Sequence, residues 1–98
     1  MVRHVVLLTF VDGTSDEEIA AIADALRELP SKIPSLRSYV VGTDLGLAED
    51  NADLVVVADV DDVDGFHAYR DHPEHQRVLQ EMIRPILASR VAAQHELP

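Results

Sequence analysis

The sequence predicts a single α+β domain in which a four-stranded antiparallel sheet carries helices on one face, in the order β-α-β-β-α-β. Three observations lead there. Runs rich in β-branched residues stand at Val2–Val11, Leu36–Thr43 and Leu54–Val60, with a weaker one at Arg90–Leu97. Amphipathic helical patterns fill the intervals between the first and second runs and between the third and fourth. A length of 98 residues supplies one hydrophobic core, so residues 1–98 form one domain.

Each element has its own warrant. In Val2–Val11 the face made by His4, Val6, Leu8 and Phe10 is as apolar as the face made by Val5, Leu7, Thr9 and Val11. A small antiparallel sheet ordinarily shows one face to water. Here both faces need cover. Asp12-Gly13-Thr14 turns the chain, and Ser15-Asp16-Glu17-Glu18 reads as a capping box whose acids also suit the start of a helix dipole. Ile19, Ile22, Ala23, Leu26 and Leu29 form the buried stripe of that helix, which Pro30 ends. Leu36–Thr43 follows as the second strand, then a polar connection over Asp44–Ala52. Leu54–Val60 is almost continuously apolar, again on both faces. Asp61-Asp62 caps a short helix through Tyr69. A second helix starts at Pro73, where the missing N–H costs nothing, and runs to about Arg84 before Pro85. This is the ferredoxin-like unit. Its open sheet face, apolar in the first and third strands, predicts a homodimer joined sheet to sheet about a twofold axis.

Composition narrows the function. Eight Lys and Arg against 18 Asp and Glu give a net charge of −10, which repels a nucleic-acid backbone and an anionic membrane surface alike. The absence of cysteine removes disulfides, zinc thiolates and thiol nucleophiles together. No apolar run approaches the roughly 18–20 residues of a membrane span, and no leader pattern precedes the first strand, so a cytoplasmic address is expected. Residues 44–64 hold eight carboxylates and no Lys or Arg. A solvated face accounts for them, while Asp59, Asp61, Asp62 and Asp64 leave a cation site open. There is no Gly-x-Ser-x-Gly, no glycine-rich phosphate loop and no dinucleotide fingerprint, so covalent and nucleotide-dependent chemistry are not expected.

The stretch with chemical content is Phe66-His67-Ala68-Tyr69-Arg70-Asp71-His72-Pro73-Glu74-His75, which holds three of the five histidines and one of the two tyrosines. His75, Val78, Leu79 and Met82 recur at the spacing of one helical face, so His75 lies on the apolar side of its helix. Such a histidine is either a satisfied core residue or a group placed in a pocket. Burial disfavours its charged form and leaves it able to accept a proton near neutrality. His72 stands just before Pro73, where a capping contact competes with a place in the site. His72-x-x-His75 is a poor metal pair, because it spans a helix start and lacks an obvious third ligand beyond Asp71 or Glu74; neither a metal nor a cofactor is expected. His67 and His95 are assigned to solvent or an edge.

Tyr69-x-x-His72-Pro73-x-His75 resembles the signature of the stress-responsive dimeric α/β-barrel (Dabb) domain. The opening strand Arg3-His4-Val5-Val6-Leu7-Leu8-Thr9-Phe10, the turn Ile33-Pro34 leading to Gly42-Thr43-Asp44, and the similar length extend the resemblance over essentially the whole chain. The member of that family with an understood chemistry, olivetolic acid cyclase, is a cofactor-free polyketide cyclase. The resemblance implies a cavity between sheet and helices, with His75 as general base, Tyr69 as hydrogen-bond donor and His4 facing the same space. Val6, Leu8, His72, Val78, Leu79 and Met82 are expected to line it around a small hydrophobic or polyketide-like ligand. A non-catalytic dimer that binds a hydrophobic ligand in a stress response, and a cofactor-independent oxygenase of the same fold group, are the alternatives. With only four aromatic residues, Phe10, Tyr39, Phe66 and Tyr69, the chain departs from the cyclase, which lines its pocket with more.

Overall fold

Strand β1 (Val2–Phe10) is the spine of the molecule: in the computed structural model, which describes residues 1–98, it pairs on both edges. Its partners are β3 (Leu54–Val60) and β4 (Leu87–Glu96), both antiparallel, and β2 (Leu36–Thr43) lies outside β3, giving the order β2-β3-β1-β4. The helices are α1 (Asp16–Arg27), α2 (Val63–Arg70) and α3 (Pro73–Val78). The architecture is therefore the α+β ferredoxin-like fold.

Alternation along the strands decides what faces what. Val6, Leu8 and Phe10 of β1, with Leu54, Val56 and Ala58 of β3, are buried under Ile22, Ala23 and Leu26 of α1 and under Leu29, which follows it. Ser15 caps α1 by accepting the Glu18 N–H at 3.1 Å, and Glu18 accepts the Ser15 N–H in return, so the capping box fixes where that apolar stripe begins. Arg27 then ties the far end of α1 to β2 by donating from both Nε and Nη2 to the Val41 carbonyl.

The other sheet face is bare in the single chain. Val5 stands between Val57 and Ala93, and Leu7 stands between Val55 and Val91. Val40 extends the patch onto β2 beside Val57. Leu7, Val40 and Val91 are 40, 56 and 64% exposed, an apolar strip across four strands that water covers only at a cost.

Two expectations need correction. The last strand starts at Leu87, not Arg90, because its first residues pair with the bulged end of β1 at Thr9/Phe10. The helix from Pro73 is regular only to Val78; Leu79–Ile83 is a π turn and Arg84–Ile86 a 3-10 turn. Nor do the acids of residues 44–64 gather into a cation site, since most are committed elsewhere. Asp59 forms a two-point ion pair with Arg3, and Asp61 with Arg37. Asp62 caps α2 through the Gly65 N–H, and Asp53 accepts the Phe10 N–H. No three His, Asp or Glu side chains stand together as a metal ion would need. No helix is long and apolar enough to cross a membrane.

Candidate functional site

Between the inner face of β1 and the α2–α3 segment lies a cavity of about 380 Å³, near the lower end of the range for ligand sites. Val6, Leu8, Val56, Phe66, Leu79 and Ile83 give it apolar walls, and His4, Tyr39, Tyr69 and His75 supply polar groups inside them.

His75 is 7% exposed, and the reason for its orientation lies in the backbone. Pro73 interrupts the helix after Arg70, and the Glu74 N–H, which a continuous helix would give to the Arg70 carbonyl, is taken instead by His72 Nδ1 at 3.1 Å. The freed carbonyl accepts from Gln76 Nε2 at 2.7 Å and meets His75 Nδ1 at 2.9 Å. A carbonyl only accepts, so in the neutral ring Nδ1 carries the proton and Nε2 keeps the lone pair. Burial lowers the His75 pKa, the carbonyl bond partly opposes it, and the Arg90 charge adds to the lowering. The neutral, proton-accepting form is the resting form at pH 7.

Tyr69 packs its ring 4.3 Å from that of His75, and its hydroxyl lies 3.0 Å from the Tyr39 hydroxyl. Whichever of the two donates, one O–H proton is left for a third group. Burial raises the pKa of both phenols, so both remain protonated donors. His4 comes from β1 directly opposite Gln94, whose amide nitrogen is 2.8 Å from His4 Nδ1. The amide donates, so the neutral His4 proton sits on Nε2. Phe66 meets the His4 ring edge-on at 4.9 Å. Burial, then the Arg90 and His75 charges, push the His4 pKa down to about 4. One acceptor and two donors thus converge on an apolar space.

The structure brings together His4, Val6, Leu8, Tyr69, His75 and Leu79 of the residues expected from sequence. It leaves out three. His72 is the cap of α3, its Nδ1 occupied by the Glu74 N–H. Val78 is fully buried core. Met82 loses its place to Ile83 because the π turn inserts one residue and rotates the following side chains out of the 3.6-residue phase. Tyr39, Arg84 and Arg90 were not foreseen. Tyr39 is placed by the β2–β3 register opposite Ala58, and Arg90 by the β1–β4 register opposite Leu8, neither of which shows in the local pattern. His67 and His95 are exposed.

Two buried neutral histidines make stability depend on pH. Unfolding frees His4 and His75 to take up protons near the ordinary value of 6.5, while the folded forms resist until lower pH, about 4 for His4. Their contribution is fully present above pH 6.5 and is lost as pH falls from 6.5 toward 4. Asp59, Asp61 and Asp71 have lowered pKa values and lose their contribution only below the ordinary 3.8. Urea unfolding at pH 7.5 and pH 4.5 should show a lower midpoint at the acid pH, with a smaller drop in His4→Gln. An equal drop in that variant would place the titrating group elsewhere.

Comparison with known proteins adds the following. Residues 2–96 match the model of the Stress responsive A/B Barrel Domain (Dabb). An uncharacterised protein of Streptomyces coelicolor is 32% identical over 78 residues, covering 78% of this chain and 80% of its own. Among solved structures, a dimeric ferredoxin-like protein of unknown function from Thermobifida fusca superposes with a TM-score of 0.89 at 46% identity, over 98% of this chain and 90% of that one. A hydroxynitrile lyase from Passiflora edulis shares the fold with a TM-score of 0.83 at 21% identity, over 99% and 93%.

Proposed function

The chain belongs to the stress-responsive A/B barrel (Dabb) domain family, and from that premise we propose that it is a cofactor-free proton-transfer enzyme acting on a carbonyl compound, working as a homodimer. The observation that carries the reading is the Arg70 carbonyl bond, which fixes Nε2 as the basic nitrogen of a His75 that burial keeps neutral. In the proposed step Nε2 takes a proton from a carbon flanked by carbonyls. The electron pair moves onto a carbonyl oxygen, where the free Tyr69/Tyr39 O–H and the His4 Nε2–H donate to the developing charge. The enolate carbon then attacks a second carbonyl of the same molecule, the imidazolium returns its proton to the new alkoxide, and the resulting hydroxyl leaves as water with the remaining proton of the attacking carbon. Neither an oxidant nor a cofactor enters the balance. A linear polyketide-like chain is the substrate that presents both carbonyls at once.

The homodimer rests on the bare apolar strip of Val5, Leu7, Val40, Val57 and Val91, and the Thermobifida fusca relative is described as dimeric. The cavity lies on the opposite side of the sheet, so each protomer holds a complete site.

The test is a panel of β-polyketo thioesters in deuterated buffer, followed by mass spectrometry. Exchange at the flanked carbon above the buffer rate, or loss of water on ring closure, is the expected result. Absence of both on every member, together with tight binding of an apolar ligand, would replace the enzyme by a ligand-binding dimer.

A further inference from the structure

Of the eight basic side chains, six are neutralised. Arg3 pairs with Asp59, Arg27 with Asp24, Arg37 with Asp61 and Arg70 with Asp71, while Lys32 and Arg77 share Glu74. The remaining two, Arg84 and Arg90, make no ion pair although the chain carries ten more acids than bases. Both line the same cavity, whose lining also includes the mutually paired Arg70 and Asp71. Arg84 comes from the 3-10 turn after the π turn, and Arg90 comes from β4 on the face that Leu8 shares, so two separate elements deliver the charges to the same opening. Arg90 is near enough that its charge acts on His4, Tyr69 and His75 alike.

We infer that the cavity selects a small amphiphilic carboxylate, its anionic head held by Arg84 and Arg90 and its apolar body lying against Leu8, Leu79, Ile83 and Leu87. Guanidinium groups match a carboxylate by paired N–H donors, and an exposed arginine left unpaired in an acidic protein is free to make that match. A net charge of −10 penalises a dianion more than a monoanion, which favours a carboxylate head over a phosphate. The inference rests on the reading of this cavity as the ligand site, and it names the chemical class that enters.

Calorimetric titration of the purified protein with octanoate, octanol and octyl phosphate tests it, on wild type, Arg84→Gln/Arg90→Gln and His75→Ala. Octanoate should bind at least about tenfold more tightly than octanol, the margin expected of charge-assisted hydrogen bonds. The margin should shrink at high salt and vanish in the double arginine variant. It should persist in His75→Ala. Equal affinity for octanoate and octanol would overturn the inference, as would a preference surviving in the double variant, tighter binding of octyl phosphate, or no binding of any of the three at millimolar concentration. The two readings fail separately. A charge preference without carbon-proton exchange removes the base role of His75 and keeps the anion site, and exchange without a charge preference does the reverse.

Discussion

Replacement of His75 by alanine is expected to lower turnover by roughly 10²–10⁴-fold, the range for loss of a general base, while the protein stays folded. The stability cost should be about 1–2 kcal/mol, typical of one buried substitution. Two features keep it modest. The Arg70 carbonyl retains Gln76 Nε2 as a donor, so no buried acceptor is orphaned, and the lost contact is mainly one ring face on Tyr69. Tyr69→Phe should cost less activity, because it keeps the ring and removes one hydroxyl, leaving Tyr39 to reach the oxyanion alone. A core histidine without catalytic work gives the inverse pattern, a clear loss of stability and unchanged turnover per folded molecule. Steady-state rates and urea unfolding on the same preparations tell the two patterns apart.

Leu7→Asp should yield a folded monomer. Leu7 is 40% exposed in the single chain and sits mid-strip between Val55 and Val91, so an aspartate there puts an unpaired charge into the dimer interface. Dissociation at least about 100-fold easier, near 3 kcal/mol, is the expected size, and sedimentation at micromolar protein reads it. The neighbouring Leu8 is the control. It is 3% exposed beneath the helices, and Leu8→Asp should unfold the chain rather than divide the dimer. If Leu7→Asp sediments as a stable dimer, the open face is not the interface.

The fold was legible because its signals are local. Ser15 and Glu18 mark a helix start, Pro30 and Pro73 mark boundaries, and the β-branched runs of β1 and β3 have no helical period. The placing of His4, Tyr69 and His75 at one cavity was legible for another reason: Tyr69 and His75 stand in the motif and His4 in the matching opening strand, so the resemblance brought them together. What escaped was set by geometry that no local pattern records. A π turn has no signature in a spacing of three and four, so Met82 was put where Ile83 stands. A strand register cannot be read from one strand, so nothing in the sequence marked Arg90 or Tyr39 as facing the cavity. The acids of residues 44–64 looked like one feature because they are neighbours in sequence, but Arg3 and Arg37, far along the chain, separate them into individual contacts.

The group that orients His75 is a peptide carbonyl, which gives the site an unusual kind of heritability. An orienting carboxylate can be lost by a single substitution at its own position. A carbonyl is supplied by any amino acid, so residue 70 can drift in identity without changing which nitrogen of His75 is basic. The vulnerable position is instead Pro73, which contacts no substrate in the proposed step. A residue there that let α2 run on into α3 would return the Arg70 carbonyl to the helix and release the ring to either tautomer. A carbonyl also bears no full charge, so an imidazolium formed in the proposed step would have only the exposed Asp71 carboxylate acting on it from nearby. It would give its proton back more readily than one paired with a buried carboxylate, as the proposed step requires.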